Sequence, residues 1–194
     1  MMLATLLVVL VVAAVFATMT HRAEKRARRS GRMSDGRFLL AFSGLLAKMA
    51  MADGTVTADE VETVEKMFSD MGLSQAERAL CVGNFVIVQR EGGDAKALAR
   101  DLAVSFNHVA CRFLYGLVLR VALADWRIAE EEERLLKEIG NELGLSEDEC
   151  AEFRQGAMPT FDRKALEDAG VPAAVARLRM SGGIKEAGLG IWDR

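Results

Sequence analysis

Apolar residues recur at helical spacing through most of the chain. In the stretch after Thr57 they stand three or four positions apart, at Val61, Val64, Met67, Phe68 and Met71. This spacing places them on one face of an α-helix. The same pattern predicts about seven helices between residues 34 and 155, separated by short turns that contain Gly, Asp or Ser. Because alternating β-branched residues are nearly absent, we predict an all-α domain.

The order of these predicted elements repeats after 72 residues. The shift aligns Ala52-Asp53 with Ala124-Asp125, and Gly72-Leu73-Ser74 with Gly144-Leu145-Ser146, without a gap. It indicates an internal duplication of a long helix, an acidic elbow, a second helix and a Gly-Leu-Ser corner. We expect the two copies to pack together and to bury one shared core with pseudo-twofold symmetry.

Residues 2–19 contain no charged residue, Pro or Gly. As a helix they would be about 27 Å long, just enough for a hydrocarbon core of about 30 Å. A cleaved signal peptide would carry basic residues before its apolar run, whereas here six basic residues follow it, within residues 21–32. We therefore predict a transmembrane anchor over residues 1–20 and a basic juxtamembrane linker over 21–33. This order places the N-terminus outside and the rest of the chain in the cytoplasm.

Two interactions of the anchor region are predicted, and each has a simpler alternative. The basic linker could bind anionic lipid headgroups, although its role as a topology signal is sufficient to explain it. Ala13 and Ala17 form a small-xxx-small pair through which two anchors could pack as a homodimer. Alanines that simply face lipid are the alternative.

Composition excludes several functional classes. A formal net charge of −3 gives no basic face for nucleic acid. Three scattered cysteines form neither a disulfide framework nor a zinc motif, and two histidines leave little for triad chemistry. The chain also lacks a Gly-rich phosphate loop, and nothing marks a carboxyl group as an acid with a raised pKa. We therefore expect a protein that is not an enzyme.

Six acidic residues at the two elbows form the strongest candidate site: Asp53, Asp59, Glu60, Asp125, Glu131 and Glu132. Hard divalent cations need several oxygens that converge on one point, and carboxylates from duplicated elbows could supply them. Helix capping explains the same residues, because Thr57-x-x-Glu60 is a capping box and acids are favoured in first helical turns. Both explanations stay open, with Ca²⁺, Mg²⁺, Mn²⁺ or Zn²⁺ as the candidate ions. A metal hydrolase at these elbows is a further alternative.

The remaining motifs have structural explanations. Ser74-x-x-Glu77 and Ser146-x-x-Glu149 are predicted to be capping boxes with no other role. Residues 156–194 are predicted to form short helices and a flexible tail, with a helix from Pro172 to about Met180. Trp126, at the second elbow, could contact a partner or fill the core.

The two elbow motifs resemble a known family. Met51-Ala52-Asp53-Gly54-Thr55-Val56 with Asp59-Glu60, and Ala122-Leu123-Ala124-Asp125 with Ile128 and Glu130–Glu133, are similar to the TerB-like domain. This domain occurs in tellurite-resistance proteins and in the N-terminal part of the membrane-anchored DnaJ-like co-chaperone DjlA. The resemblance covers about residues 37–155, and the order of anchor and basic stretch is also similar to DjlA. It implies a compact helical fold with pseudo-symmetric halves and an acidic cluster that binds divalent metal in some members.

Two departures limit what the resemblance implies. Trp126 stands where the second elbow would have a glycine. We expect no J domain, since neither histidine precedes Pro-Asp and the 39 residues after Gln155 are too few for one. We expect an adaptor or stress-response module at a bacterial inner membrane that binds proteins and that a divalent metal gates. The alternative is a DjlA-like co-chaperone partner that recruits substrates to the Hsp70 machinery in trans.

Overall fold

The computed structural model describes residues 33–125, 127–155, 162–169, 171–172 and 175. These ranges contain eight α-helices and no strand. The helices are α1 (Asp35–Ala50), α2 (Ala58–Asp70), α3 (Gln75–Glu91), α4 (Ala95–Ser105), α5 (His108–Ala122), α6 (Glu130–Glu142), α7 (Glu147–Arg154) and α8 (Arg163–Asp168). The all-α prediction is confirmed for this part of the chain.

Side-chain caps set where most of these helices begin. Ser34 accepts a hydrogen bond from the Arg37 backbone, and Ser74 and Ser146 open full capping boxes with Glu77 and Glu149. Gly72 and Gly144 follow the ends of α2 and α6 with φ of 65° and 75°. Other residues pay a steric penalty at such angles. The Gly-Leu-Ser corner therefore stops one helix and caps the next in both copies.

α1 and α5 form the centre of the domain. Eleven of the 16 residues of α1 and eleven of the 15 residues of α5 are buried. The two helices begin close together, since Phe38, near the start of α1, packs edge-on against Phe106, just before α5, with ring centroids 5.5 Å apart. The elbows that follow them are also near each other, because acids of one elbow act electrostatically on Glu60 and Glu132 of the other.

The other helices cover this central pair. Asn84 of α3 donates hydrogen bonds to the Leu40 carbonyl and the Ser43 hydroxyl of α1, each over 3.0 Å. The α7 residue Phe153 packs edge-on against Tyr115 of α5, with ring centroids 5.5 Å apart. α4 is joined to α6 by ion pairs such as Arg100–Glu142. α2 and α6 are both 13 residues long and begin 72 residues apart, in agreement with the 72-residue shift.

The number of helices agrees with the prediction. Seven helices, α1 to α7, lie between residues 34 and 155, and the eighth, α8, lies in the segment predicted to form short helices and a flexible tail. Leu166, Val171 and Val175 are buried, so this part of the tail packs on the core. Most of the predicted helix after Pro172 lies outside the described residues, as do Trp126 and the end of the chain.

The predicted anchor and nearly all of the basic linker, residues 1–32, also lie outside the described ranges. Within those ranges no helix combines the length and the apolar composition needed to cross a membrane.

Candidate functional site: the acidic elbows

Each elbow is held by an aspartate at its centre. In the first elbow, residues 51–57, Asp53 Oδ1 accepts a hydrogen bond of 2.8 Å from the Thr55 backbone N–H. In the second elbow, residues 123–129, Asp125 Oδ1 accepts one of 3.0 Å from the Arg127 backbone N–H. Such a hydrogen bond, which an Asp side chain accepts from the backbone N–H two residues later, defines an Asx turn. The two bonds leave the second carboxylate oxygen of each aspartate free of hydrogen bonds within the described chain.

A glutamate closes each elbow from the first turn of the following helix. Glu60 Oε2 accepts hydrogen bonds from the Thr57 backbone (2.7 Å) and hydroxyl (3.0 Å), which completes the predicted capping box. Glu132 Oε2 accepts from the Ala129 backbone over 2.7 Å, but Ala129 has no hydroxyl to complete a box. Glu60 and Glu132 are only 5% and 7% exposed, which is unusual for glutamate.

Four carboxylates of the two elbows lie within electrostatic range of one another. Burial raises the pKa of Glu60, and the nearby charges of Asp53 and Asp125 raise it further against the lowering effect of the Thr57 hydrogen bonds. Burial raises the pKa of Glu132 to about 7, with added repulsion from Glu60, Asp125 and Asp53. Each glutamate therefore feels a carboxylate from the other half of the repeat, as the duplication predicted.

The sequence marked no acid as having a raised pKa, whereas burial raises the pKa of both Glu60 and Glu132. Neither glutamate could be recognised from its sequence position, because a glutamate three residues after an N-cap is normally a solvated capping residue. The burial arises only when the two halves pack together, so the desolvation of Glu132 is a tertiary effect.

The other two predicted residues lie at the edge of this site. Asp59 and Glu131 are exposed in the first turns of α2 and α6, where the helix dipole favours an acid. Neither is among the charges that dominate the pKa values of Glu60 and Glu132. The acids that interact electrostatically are thus Asp53, Glu60, Asp125 and Glu132, which we call the carboxylate cluster.

No Lys, Arg or His of the described residues forms an ion pair with the carboxylate cluster. Over the same ranges, no three Asp, Glu, His or Cys side chains are arranged as a group that could hold a metal ion. The donor atoms that the cluster offers are all carboxylate oxygens, the type that Ca²⁺, Mg²⁺ and Mn²⁺ prefer.

A second polar group, formed by Glu149, His108 and Arg112, was not predicted from the sequence. Glu149 caps α7 as predicted, but its Oε1 also lies 2.7 Å from His108 Nε2 and 3.5 Å from Arg112 Nε on α5. Its role is therefore more than capping, because it ties α7 to α5. The contact spans 41 residues of sequence, and no local motif signals it.

Comparison with known proteins assigns the domain. The family model described as tellurite resistance protein TerB matches residues 39–155, more than half of the chain. The chain belongs to the TerB family. Neither the curated proteins nor the solved structures give a match. The TerB match includes both elbows and helices α2 to α7, with most of α1, so the carboxylate cluster lies entirely inside the TerB domain.

Proposed function

We propose that this protein is a non-enzymatic, membrane-anchored adaptor or stress-response module whose TerB domain binds proteins under the control of a divalent cation. The supporting observation is the carboxylate cluster. Four carboxylates from the two elbows interact electrostatically at one end of the domain, and burial raises the pKa values of two of them. A divalent cation would remove this repulsion and would join the two halves of the repeat.

The chemistry of the cluster suits a hard cation. Asp53, Glu60, Asp125 and Glu132 would hold it, because each uses one oxygen for its elbow and retains a second. Zinc is a weaker candidate, since its usual nitrogen and sulfur ligands are absent from this set. A bound cation would supply positive charge, which would favour the ionised form of Glu132 and oppose its raised pKa.

Calorimetric titration of the full chain in mild detergent with Ca²⁺, Mg²⁺, Mn²⁺ and Zn²⁺ tests the cation. We expect saturable binding at one site, lost in Asp53→Asn/Asp125→Asn. The matched control is Asp59→Asn/Glu131→Gln, which removes the same charge from the exposed acids of the same elbows and should retain binding. Loss in both variants would point to general electrostatic attraction, and absence of binding in the wild type would contradict metal gating.

The location of the protein is tested separately. The proposed anchor, residues 2–19, would hold the TerB domain on the cytoplasmic side of a bacterial inner membrane, next to a linker suited to anionic headgroups. We expect the full chain to stay in the membrane fraction after alkaline extraction and a variant lacking residues 2–19 to be released. Release of both would contradict the anchor.

The carboxylate cluster would lie away from the membrane. α1 is about 24 Å long at 1.5 Å per residue, and the linker joins its first turn, whereas the elbows follow its last turn. A protein partner could therefore reach the elbows from the cytoplasm. Cross-linking in cells with a photoreactive group at Asp59 should capture one defined partner in a cation-dependent manner. Capture of Hsp70 components instead would favour the co-chaperone alternative.

A further inference from the structure

The corner between α4 and α5, residues 104–109, exposes two valines. Val104, in the last turn of α4, is 84% exposed, and Val109, in the first turn of α5, is 44% exposed. Val104 is the most exposed large hydrophobic residue that the structure describes. Isolated exposed hydrophobic residues are common on protein surfaces, so the place of this corner in the fold decides what it contacts.

This corner lies at the end of the domain where α1 begins. In the second half of α1, a Cβ at Gly44 would lie 3.2 Å from the side chain of Leu98, in the first half of α4. Near the start of α1, Phe38 packs against Phe106, which directly follows α4. These two contacts make α1 and α4 antiparallel. The α4–α5 corner and the start of α1 therefore lie at the same end of the domain.

Val104 lies next to the first turn of α1. Asp101, three residues before Val104, is on the same face of α4, and its Oδ2 lies 3.9 Å from Arg37 Nη2. Arg37 belongs to the first turn of α1. The most exposed valine is thus close to the point at which residues 1–32 join the domain.

The sequence that precedes α1 indicates what this end of the domain faces. Residues 2–19 contain no charged residue and are proposed to cross the membrane. Only residues 20–33 separate them from Ser34, the N-cap of α1. An unstructured chain of that length has an end-to-end distance of about 20 Å, so the start of α1 is held close to the bilayer. A tether of this kind raises the local concentration of the two surfaces, and a small contact is then sufficient.

The charges around the corner are compatible with an anionic membrane. Asp101 is paired with Arg37, and Glu149 contacts both His108 and Arg112 beside Val109. Asp35, in the first turn of α1, opposes binding to anionic lipid, but six basic residues within 21–32 outweigh it. Basic residues next to a membrane span attract anionic headgroups.

We propose that the α4–α5 corner docks the TerB domain on the lipid surface, with Val104 and Val109 inserted among the headgroups of the bilayer that holds the anchor. Apolar side chains of surface-bound segments occupy this layer because it removes them from water. The inference rests on the proposed membrane anchor. Docking by this corner fixes the orientation of the domain and directs the first elbow, at the opposite end of α1, towards the cytoplasm.

A fluorescent probe at the corner tests the contact. Val104→Cys in the full chain is labelled with an environment-sensitive fluorophore and reconstituted in phosphatidylcholine–phosphatidylglycerol vesicles that contain a lipid with a nitroxide on its headgroup. The native cysteines are buried, and labelled wild type gives the background. Emission should shift to the blue, and quenching should exceed that of the control by about twofold or more, because interfacial side chains lie about 5–10 Å deep.

The matched control is Ile87→Cys, at an apolar position of α3 that is 53% exposed. Its neighbour Val88 would lie 3.6 Å from a Cβ at Gly44, so this probe belongs to the half of the domain nearer the first elbow. Equal quenching at residues 87 and 104, or quenching at neither, would overturn the proposal.

A second pair of variants separates docking from folding. With the probe at Val109→Cys, Val104→Gln removes the apolar side chain but keeps a good helix former at an exposed position. The thermal midpoint should not fall, whereas quenching at residue 109 should drop to the level of the Ile87 probe. Ile87→Gln is the matched control and should leave quenching at residue 109 unchanged. Undiminished quenching in Val104→Gln would overturn the role of the corner.

Failure of the anchor is distinguishable from failure of the docking surface. Alkaline extraction of the same vesicles reports membrane insertion independently of the probe. A chain that is retained, but is quenched no more strongly at residue 104 than at residue 87, would support the anchor and overturn docking by the corner. A chain that alkali releases, but that is quenched at residue 104 at neutral pH, would contradict the anchor and support docking.

Discussion

The two elbows have nearly the same backbone hydrogen bonds but different side chains around them. Each aspartate accepts from the backbone two residues ahead, over 2.8 and 3.0 Å, and each glutamate accepts from the backbone three residues behind, over 2.7 Å. Thr57 of the first elbow, however, corresponds to Ala129 of the second. The carboxylates alone are therefore enough to form the elbow, and they have a structural role whether or not a cation binds.

The helices around the elbows differ in how they fill the core. Phe68 of α2 is buried, and the equivalent position in α6 is Gly140. The reverse holds in the central helices, where buried Ser43 of α1 corresponds to buried Tyr115 of α5. Tyr115 lies directly against the position of a Gly140 side chain. The repeat thus preserves the backbone at the elbows while the two halves use large and small residues at different positions.

The largest expected effect comes from a substitution that adds a side chain at the small residue of the second half. Gly140→Ala places a Cβ 2.7 Å from the Cys150 sulfur and 3.3 Å from the Tyr115 ring. Overpacking of this kind costs about 1–3 kcal/mol, which should exceed the gain from a better helix former. Urea unfolding of the full chain in detergent, followed by circular dichroism, measures it. Gly83→Ala is the control, and it should gain up to about 1 kcal/mol. Equal changes in the two variants would contradict the close contact.

The next effect compares the two buried glutamates. Glu60 accepts two hydrogen bonds from Thr57, which both lower its pKa, whereas Glu132 accepts only one, from Ala129. The pKa of Glu132 in the folded state is about 7, above the ordinary value of 4.5. The folded state therefore binds more protons than the unfolded state between these values, and stability falls as the pH rises. The expected loss is about 2–3 kcal/mol between pH 5 and pH 8.

Unfolding of wild type and Glu132→Gln at about pH 5 and pH 8, with chelator present, tests this pH dependence. The amide keeps an acceptor for Ala129 and cannot ionise, so the variant should lose less stability between the two pH values. Glu60→Gln is the matched control and should change the pH dependence less. A larger effect of Glu60→Gln would reverse the assigned order of the two acids.

Most of the helices and their caps could be predicted from local patterns. The spacing of apolar residues after Thr57 predicted α2, which the structure places at Ala58–Asp70, and Ser74 and Ser146 cap helices as predicted. These features depend on residues within one helical turn of each other. The 72-residue shift added the elbow pairing, because two copies of one unit share a core.

What could not be predicted depends on contacts between distant segments. Short helices were expected after residue 156, but α8 is only six residues long, so a periodic pattern could not fix its position. The burial of Glu132 and the contact of Glu149 with His108 require the packed domain. The sequence alone could not distinguish the exposed acids Asp59 and Glu131 from the carboxylate cluster, because all six acids occupy similar positions in turns and first helical turns.

A smaller effect is expected when the N-cap residues of the two elbows are exchanged. Thr57→Ala gives the first elbow the N-cap residue of the second and should cost about 1 kcal/mol, as loss of a capping hydroxyl usually does. Ala129→Thr should gain a similar amount, because its hydroxyl can bond both Glu132 and the backbone, as Thr57 does with Glu60. It should also lower the pKa of Glu132. Urea unfolding of both variants at about pH 8 measures the exchange, and a neutral Thr57→Ala would contradict it.

The smallest effect concerns the ends of α2 and α6. Glu142 accepts two hydrogen bonds from Arg100, over 3.0 and 2.8 Å, whereas its equivalent, Asp70, has no ion pair among the described residues. We do not expect the Arg100–Glu142 pair to stabilise the fold measurably, because exposed ion pairs contribute little and salt screens them. Arg100→Ala should therefore leave the unfolding midpoint in physiological salt unchanged within error, as should Asp70→Ala. A clear loss in Arg100→Ala alone would mean that α4 depends on this pair for its position against α6, and that the second half of the repeat is held by electrostatic contacts the first half lacks.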